Sequence, residues 1–546
     1  MPGYALVLAV AICAPLWAPG YLLLRDAVST PRSYLTDAAL GLTDAAPRAL
    51  PQDVAIAWLS TVLDGGMVVK ALLLAGLWLA GWGAARLAST VLPETGLPGQ
   101  FVAATVSIWN PYVAERLLQG HWSLLVGYGC LPWVAVAVLR ANRFACAFWL
   151  ALAGLTPTGL LLAAVVGLAA GLTPGIRRLR SAGAVLVLSL LAAAPWLVAS
   201  TLTGSLSAYQ AAGSPGIEAF AARAEPLLGT LGTLAGLGGI WNAQAVPTSR
   251  TTGFALVATL VLLAVVAAGV PTAWRREQAR PLLVLAVFAV LVPALLASAP
   301  GLAFLRVVID AVPGLGVLRD SQKWVAAAVP GYTLAAAASV RVLRGARPAL
   351  VAAVACAAVF AVLPDLAWGV GGQVRAVRYP AAWPAVAAQI NADPRPVAVL
   401  PADSMRRFDW AGPAPVLDPL PRWVRADVLS TGDLVISGRP VLGEGSRARA
   451  IQDILLTGAD PARLAQAGVG WVMLQHSPGE TGSAATGLAK LPVAYSDADL
   501  TLYHVDGTHP GASAGQRRAA LAMHLLWLAV LLAGAAGTIR SATRPS

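Results

Sequence analysis

Long apolar runs, each close to the length of one membrane crossing, restrict the fold of this chain more than any other feature of its sequence. In residues 66–85, 182–203 and 252–270, for example, charged side chains are nearly absent. A helix needs about 20 such residues to cross a hydrocarbon core about 30 Å thick. Only 12% of all residues are charged and the mean hydropathy is +0.70, whereas soluble domains carry roughly 25% charged residues. The sequence therefore predicts a polytopic α-helical membrane protein and excludes a soluble globular one.

Hydropathy, with proline, glycine and arginine as breaks, predicts about twelve spans. They cover residues 4–24, 66–85, 101–113, 122–139, 144–155, 159–172, 182–203, 252–270, 281–299, 324–340, 348–368 and 519–539. The third, fifth and sixth are short for a hydrocarbon core, so we expect them to be tilted, kinked or re-entrant. A helix break is predicted at residues 156–159, where proline and glycine follow a threonine.

Arginine predicts the orientation of the spans. The net charge is +12, and nearly all of the basic residues are arginines. Alternate short loops contain arginine clusters within residues 140–143, 177–180, 275–280 and 341–347, and one topology places all of them on the same side. The positive-inside rule makes that side cytoplasmic, with both termini in the cytoplasm. No basic face with interleaved aromatic residues is present, so nucleic acid is not expected as a partner.

This orientation divides the chain into three predicted parts. Residues 1–368 form a transmembrane module whose first outer loop, 25–65, holds the candidate catalytic residues. Residues 369–518 form an extracytoplasmic α/β domain, with strands at 396–400 and 469–474, helices at 379–390, 447–456 and 460–467, and a closing hairpin at 491–505. Residues 519–546 form the last span and a cytoplasmic tail. We therefore expect a multi-pass protein of the plasma membrane.

Motifs for nucleotide or metal chemistry are missing from the sequence. It contains neither a Walker phosphate loop nor a glycine fingerprint that opens a helix after a strand. The five histidines are not spaced as metal ligands, and the four cysteines all lie within apolar runs. The sequence therefore predicts no resident cofactor and no metal site, and it leaves a need for a divalent cation open.

The first outer loop contains the residues with the clearest catalytic potential. Arg25 and Asp26 follow the first apolar run, and Asp44 lies further along the loop. A carboxylate at the membrane–water boundary can act as a general base toward a hydroxyl nucleophile, and an adjacent arginine can neutralise a phosphate leaving group. Asp26 is therefore the first candidate base and Asp44 the second. The alternative is an interfacial ion pair of Asp26 with Arg25 or Arg32.

A second group of polar residues, at positions 109–122, lies between the third and fourth predicted spans. Its candidates for substrate contact are Tyr112, Glu115, Arg116, His121 and Trp122. Polar side chains this dense beside aromatic rings suit a carbohydrate or a lipid headgroup, because the rings offer apolar faces and the polar groups offer hydrogen bonds. The alternative is an aromatic belt at the membrane surface, with an ion pair between Glu115 and Arg116.

The third segment, residues 317–324, begins the tenth predicted span. Arg319 and Lys323 are four residues apart, so they would share one face of a helix. Two cations at headgroup depth could hold a lipid phosphate, whereas the alternative is ordinary anchoring at the interface. Arg319, Lys323 and Arg25 are the predicted ligands of a donor phosphate, and Asp320 is a further candidate for substrate contact.

These three segments, in this order, resemble the GT-C superfamily of membrane glycosyltransferases, and most of all its actinobacterial cell-envelope mannosyl- and arabinofuranosyltransferases. Members have many spans, an acidic residue in the first extracytoplasmic loop and often a C-terminal soluble domain. The resemblance implies a polyprenyl-phosphate sugar as donor substrate and Asp26 as base, with Asp44 as substitute or partner. Many members carry two adjacent acidic residues in this loop, whereas here Asp26 follows Arg25.

The leading hypothesis is an inverting glycosyltransferase. It would move mannose or arabinofuranose from polyprenyl phosphate to an envelope glycan or lipoglycan acceptor on the outer face of the plasma membrane. A lipid-linked sugar transporter or flippase is the second hypothesis; it would need ionisable residues inside the spans, of which Lys70 is the clearest. The third is a non-catalytic assembly subunit that binds envelope glycan and tolerates the loss of Asp26.

Overall fold

The computed structural model describes residues 1–45, 47–203, 216–312, 314–342, 345–436 and 438–543. Its α-helices are Pro2–Cys13, Gln52–Leu59, Gly65–Val91, Gly96–Ile108, Pro111–Gln119, Trp122–Leu139, Arg143–Ala153, Pro157–Gly171, Arg178–Thr203, Gly229–Ala235, Phe254–Trp274, Arg280–Leu296, Ala299–Ala311, Val329–Ala338, Pro348–Ala361, Ala367–Gly372, Ala382–Ala392, Leu420–Trp423, Ser446–Leu456, Pro461–Gln466, Ala484–Leu488 and Ala514–Thr543. The 3-10 helices are Ala14–Trp17, Pro93–Thr95, Ala243–Ala245, Thr248–Arg250, Leu315–Leu318, Ser321–Ala328, Ser339–Arg341 and Pro364–Leu366. The strands are β1 (Tyr21–Leu24), β2 (Ala27–Val28), β3 (Ala376–Val377), β4 (Val397–Leu400), β5 (Met405–Arg406), β6 (Val416–Leu417), β7 (Leu434–Ile436), β8 (Arg439–Val441), β9 (Trp471–Gln475), β10 (Val493–Ser496) and β11 (Leu500–His504).

Within the described residues, five helices are long and apolar enough to cross a membrane. Two further pairs of helices pass the same test together but bend sharply, by 90° between Arg280–Leu296 and Ala299–Ala311 and by 73° after Pro348–Ala361, which raises the number to seven if each pair is one span. Shorter apolar helices pack among them, including Arg143–Ala153 and Pro157–Gly171. The structure therefore has the helical architecture of a membrane protein, while the total of twelve spans and their orientation stay predictions.

The first apolar run is not one helix, as the sequence analysis expected. The helix Pro2–Cys13 continues as the 3-10 turn Ala14–Trp17, and the apolar residues that follow form β1. Pro15 and Pro19 lack the amide donors that a continuing helix needs, and Gly20 has a φ of +132°, outside the helical range. The predicted span at 4–24 is thus wrong at its C-terminal end.

The break predicted at residues 156–159 is present. Thr156 is the N-cap of the helix Pro157–Gly171, with its hydroxyl accepting a hydrogen bond from the amide of Gly159 at 3.1 Å. Pro157 occupies the first turn, where its missing amide donor is not needed. The two short helices Arg143–Ala153 and Pro157–Gly171 therefore lie on either side of the break.

Several of the short loops contact one another. Arg140 Nη2 lies 3.3 Å from Thr90 Oγ1, and Arg276 forms an ion pair of 2.8 Å with Glu94. Asn142 Nδ2 donates to Ser541 Oγ at 3.2 Å, next to the C-terminal end of the chain. These loops therefore meet at one end of the helical bundle.

Small residues allow the helices of the bundle to approach closely. Gly76 and Gly129 face each other where Gly65–Val91 crosses Trp122–Leu139, and a Cβ on Gly129 would overlap the Gly76 carbonyl oxygen. Such backbone contact is typical of packing between helices in membranes. Lys70, on the same helix, donates to the carbonyl oxygens of Ala18 and Gly20 at 3.1 and 2.7 Å. Its charge is thus used to hold the chain that enters the first loop.

The segment after residue 375 forms an α/β arrangement. Its main sheet has the order β10-β11-β9-β4, in which β4 and β9 are parallel and the other pairs are antiparallel. The helix Pro461–Gln466 begins at the N-cap Asp460, whose carboxylate accepts from the Arg463 amide at 2.9 Å. Two apolar cores lie against this sheet, one around Trp383 and one around Ile451. The strands and helices predicted in this segment are therefore present, to within a few residues.

A second, smaller sheet joins the first loop to this segment. β1 pairs with β2 and also with β3, with Tyr21 opposite Val377 and Leu22 opposite Ala376. Tyr379 follows β3 and donates from its hydroxyl to the Ser29 carbonyl oxygen at 2.9 Å. The first loop is therefore held by the C-terminal α/β segment.

Candidate functional site

Asp26 lies at the tight turn between β1 and β2, where two chain segments meet. Its amide donates to the Gln119 carbonyl oxygen at 3.1 Å, and the neighbouring Arg25 has a φ of +48°. Gly120, with a φ of +84°, lets the two backbones touch, since a Cβ there would overlap the Ala27 amide and the Leu24 carbonyl oxygen. The turn therefore holds the Asp26 carboxylate in a fixed place, with 35% of the side chain exposed.

The partners of Asp26 are Gln119 and His121; the sequence analysis selected His121 as a candidate for substrate contact but predicted neither contact with Asp26. Oδ2 of Asp26 lies 2.8 Å from Nε2 of His121 and 3.2 Å from Nε2 of Gln119. Arg25 donates instead to the carbonyl oxygens of Leu118 and Gln244 at 2.5 and 2.6 Å. Arg32 donates to the Ser33 and Ala57 carbonyl oxygens and to Ser60 Oγ.

Arg116 determines which nitrogen of His121 carries the proton. Nη1 of Arg116 lies 3.1 Å from Nδ1 of His121, and a guanidinium can only donate. Nδ1 must therefore accept, so in the neutral ring Nε2 carries the hydrogen and donates it to Asp26. The arrangement orders a chain of hydrogen bonds from Arg116 through His121 to the Asp26 carboxylate.

Next to these hydrogen bonds, Arg116 also forms a buried ion pair. The Arg116 guanidinium is fully buried and meets the Asp320 carboxylate at 3.0 and 3.3 Å, and it also donates to Gln322 Oε1. A buried charge pair holds its geometry because separation of the partners would leave each charge without compensation. The ion pair that sequence analysis considered, between Glu115 and Arg116, is replaced by the pair of Arg116 with Asp320.

Glu115 binds the loop that follows residue 216. Its carboxylate accepts from the amides of Gly239 and Ile240 at 3.0 and 3.1 Å and from Gln322 Nε2 at 3.1 Å. The same loop is anchored by a buried pair between Glu225 and Arg250, with a further contact of 3.0 Å through Nε. These bonds connect the segment around Glu115, the loop at residues 239–240 and the segment around Gln322 into one buried layer next to the site.

Lys323 is a cation of the site whose side chain is partly exposed to solvent. Its Nζ lies 3.4 Å from Asp320 Oδ2, and a quarter of its side chain is exposed. Tyr112 donates from its hydroxyl to the Lys323 carbonyl oxygen at 3.2 Å, and the Tyr112 ring packs beside the Arg116 guanidinium. Lys323 is close enough to Asp26 for their charges to interact. Asp26, His121 and Lys323 are therefore the reactive groups of the site that solvent reaches.

The charges in the site keep Asp26 ionised. Burial raises the pKa of the Asp26 carboxyl, but the interaction with His121, the hydrogen bond from Gln119 and the charge of Lys323 outweigh it, so the pKa lies below its usual value. Burial and the charge of Arg116 hold the pKa of His121 below its usual value. Burial also acts on Asp320, but Arg116 and Lys323 lower its pKa to about 2. At neutral pH the site thus contains an accessible carboxylate held by a neutral imidazole.

The other predicted site residues lie around this centre or away from it. Trp122 is buried next to His121, and Arg319 lies over the Phe220 ring at 4.4 Å. Asp44 contacts the C-terminal segment, where its Oδ2 accepts from the Arg447 amide at 3.1 Å. Both terminal nitrogens of Arg25 donate to carbonyl oxygens, and its side chain is buried behind the Asp26 turn.

Four partners of the site were not found from the sequence: the side chains of Gln119 and Gln322 and the amides of Gly239 and Ile240. Both glutamines lie inside segments that the sequence analysis selected, so their uncharged polar side chains beside candidate residues were the available signal. The two amides carry no such signal, because any residue supplies one. In the part of the chain that the structure describes, no group of three His, Cys, Asp or Glu side chains is placed to hold a metal ion.

Comparison with solved structures relates this fold to that of an arabinofuranosyltransferase. The chain is similar to the cryo-EM structure of arabinofuranosyltransferase AftD from Mycobacteria, with a TM-score of 0.57, 16% identity, and coverage of 93% of this chain and 39% of that one. A structure of an AftD mutant gives a TM-score of 0.53 and 15% identity, with coverage of 93% and 41%. The chain thus spans about two fifths of AftD, and the likeness is one of fold. No family model matches the sequence, and no curated protein is similar to it in sequence.

Proposed function

We propose that this chain is a membrane glycosyltransferase that moves a sugar from a polyprenyl-phosphate donor to a hydroxyl of a cell-envelope glycan. The observation that carries the proposal is the accessible Asp26 carboxylate, oriented by His121 at 2.8 Å and close to the cation Lys323. A base for a hydroxyl and a cation for a phosphate are the two groups that this reaction needs. The fold shared with arabinofuranosyltransferase AftD supports the same class of reaction.

In the proposed reaction, the acceptor hydroxyl attacks the anomeric carbon from the face opposite the phosphate. Asp26 takes the hydroxyl proton while the new carbon–oxygen bond forms and the bond from the anomeric carbon to the phosphate oxygen breaks. The departing polyprenyl phosphate takes the bonding electron pair, and Lys323 neutralises the charge that develops on it. The configuration at the anomeric carbon is inverted, and no nucleotide takes part because the lipid phosphate is the leaving group.

His121 is a positioning residue in this scheme. Since Arg116 fixes the tautomer, the imidazole always presents Nε2–H to Asp26 and leaves the second carboxylate oxygen for the acceptor. The buried pair of Arg116 with Asp320 keeps the imidazole in place. Asp320 also lies beside Lys323, so the same carboxylate positions the cation of the phosphate subsite.

Sugar transfer by the purified protein in lipid nanodiscs tests the proposal. Radiolabelled polyprenyl-phosphate mannose and polyprenyl-phosphate arabinofuranose are offered in turn, with an envelope glycan extract as acceptor. We expect transfer from one donor by the wild type, a loss of about 10²- to 10⁴-fold in Asp26→Asn, and near-normal transfer in Asp44→Asn, because Asp44 binds the backbone of the C-terminal segment.

Each other result has a defined meaning. Transfer that survives Asp26→Asn and fails in Asp44→Asn would keep the reaction and move the base to Asp44. Absence of transfer from both donors, with folded protein and an active reference enzyme in the same extract, would contradict the proposal and favour a glycan-binding subunit or a lipid-linked sugar transporter. The transporter is the weaker of these, since Lys70, its best candidate residue, is bound to backbone carbonyl oxygens.

A further inference from the structure

A cavity of about 110 Å³ lies between the first loop and the C-terminal α/β segment. The loop contributes Tyr34, Gln52 and Asp53 to its wall, and Trp122 lines it next to the bundle. Arg422, from the short helix Leu420–Trp423, lines it on the side of the C-terminal segment. The cavity therefore exists only while these separate parts of the chain are held together.

The polar groups in the wall suit a neutral ligand rich in hydroxyls. The Asp53 carboxylate faces the Arg422 guanidinium at 3.3 and 3.4 Å, and both side chains are partly exposed. Gln52 Nε2 donates to Asp53 at 3.2 Å. A hydroxyl can donate to the carboxylate and accept from the guanidinium or the amide at the same time. Because Asp53 balances the charge of Arg422, a phosphate would gain little here.

Aromatic rings complete the wall. The guanidiniums of Arg32 and Arg425 each lie 5.1 Å from the centre of the Tyr34 ring, which holds the ring in place. Trp122 is buried and offers a second ring to the cavity. A flat apolar surface beside paired hydrogen-bonding groups matches the two faces of a sugar, one made of carbon–hydrogen bonds and one of hydroxyls.

The volume limits the ligand to a single ring. Sites for drug-sized molecules measure about 300–1,000 Å³, whereas a cavity of about 150 Å³ accommodates benzene. A space of about 110 Å³ is smaller than that, so it would take only the hydroxyl-bearing edge of one sugar residue, with the rest of the ring and its neighbours outside.

The cavity is adjacent to the candidate base. Val28 lines it and follows Asp26 by two residues, so their Cα atoms lie within about 7 Å of each other. Trp122 is bonded directly to His121, the partner of Asp26. The cavity and Asp26 are thus close enough for consecutive residues of one glycan chain to reach both.

From this geometry we infer that the cavity is a subsite for one sugar residue of the acceptor glycan, with Asp53, Gln52 and Arg422 binding its hydroxyls and Tyr34 and Trp122 contacting its ring. The inference rests on the proposed function, because the sugar is assigned to the acceptor of that reaction. It accounts for the placement of the first loop against the C-terminal segment, since both are needed to form the subsite.

Direct binding tests the subsite without turnover. Short oligosaccharides of arabinofuranose and of mannose are titrated, without donor, into the full chain in nanodiscs, and binding is followed by saturation-transfer difference NMR. We expect the wild type to bind one of them, and Asp53→Asn and Ala38→Leu to bind it at least tenfold more weakly. Ala38 lines the cavity, so leucine there fills the space and leaves the pair of Asp53 with Arg422 intact.

The matched control is Asp433→Asn, which removes a similarly exposed carboxylate paired with Arg449 at 2.5 Å outside the cavity, and it should bind as the wild type does. The inference is overturned if the wild type binds neither oligosaccharide, or if Asp53→Asn and Ala38→Leu bind like the wild type. If the oligosaccharide binds as described but no donor supports sugar transfer, the proposed transferase function is contradicted, whereas the glycan subsite is supported.

Discussion

Nε2 of His121 lies 2.8 Å from Oδ2 of Asp26, and this contact decides how acidic the candidate base is. Burial alone would raise the pKa of Asp26, and the hydrogen bond from His121 is the main influence in the other direction. Because the folded protein holds this pKa below its usual value, Asp26 is ionised at neutral pH and loses its basic function only in acid.

In His121→Leu, we expect the acidic limb of the rate profile to move to higher pH. Without the hydrogen bond, burial acts on Asp26 with less opposition, so its pKa rises and protonation begins nearer to neutral pH. At pH 7 we expect kcat to fall about tenfold, the equivalent of one hydrogen bond of about 1.4 kcal/mol. Rates of sugar transfer across a pH series measure both effects.

His476→Leu is the control, since His476 contacts Ala498 and Thr501 in the C-terminal segment, away from Asp26. An acidic limb that stays in place in His121→Leu would show that a group other than Asp26 titrates in the reaction.

Arg116→Met should destabilise the protein strongly. The variant leaves the Asp320 carboxylate buried without its main partner, and loss of one member of a buried ion pair costs about 3–5 kcal/mol. The double variant Arg116→Met with Asp320→Leu should recover most of that loss, because neither charge remains buried. Thermal unfolding in detergent measures the stability of the wild type, the single variant and the double variant.

The exposed pair of Arg306 with Glu218 provides the comparison. Arg306→Gln should change stability by less than about 1 kcal/mol, as surface pairs usually do. Equal losses in Arg116→Met and Arg306→Gln would contradict the structural role assigned to the buried pair.

Lys323→Gln should weaken use of the donor without unfolding the site. Asp320 keeps its two contacts with Arg116 in this variant. A hydrogen bond to a charged group contributes about 1.5–3 kcal/mol, so kcat/KM for the polyprenyl-phosphate donor should fall about 10- to 150-fold. Binding of the acceptor oligosaccharide should not change.

Lys490→Gln, at an exposed position in the C-terminal segment, is the matched control. A normal donor kcat/KM in Lys323→Gln would remove Lys323 from the phosphate subsite and leave Arg319 as the next candidate.

Gly20→Ala should separate the first loop from the C-terminal segment. Gly20 has a φ of +132°, and a Cβ there would lie 2.5 Å from the Val377 carbonyl oxygen. We expect a loss of stability of about 1–3 kcal/mol, typical of a strained backbone position, with faster proteolysis of the loop and lower transfer. Gly3→Ala, in a helix where a Cβ meets nothing within 4 Å, should be neutral, and equal behaviour of the two variants would argue against the close contact.

The sequence was sufficient where structure depends on nearby residues. The break before Pro157 followed from its proline, glycine and threonine, and the helices predicted in the C-terminal α/β segment are present to within a few residues. Asp26, Arg116 and Asp320 were each selected from local composition. These inferences need only the chemistry of short segments.

Contacts between distant parts of the chain could not be read in this way. An apolar stretch such as β1 is consistent with helix or strand, and its pairing with β3 decides the matter. Arg116 could have paired with its neighbour Glu115, and only the folded chain shows that Asp320 is its partner. The cavity wall likewise combines Asp53 and Arg422, whose separation in sequence hides their contact.

The pairing of β1 with β3 also determines when the site can first exist during synthesis. At about 5–20 residues per second, the ribosome reaches Val377 roughly 20–70 s after it has made Tyr21. Until then β1 has no partner on that edge, and the turn that carries Asp26 is incomplete while the intervening helices enter the membrane. Asp26 is thus held in its final position only after most of the helical bundle has been inserted.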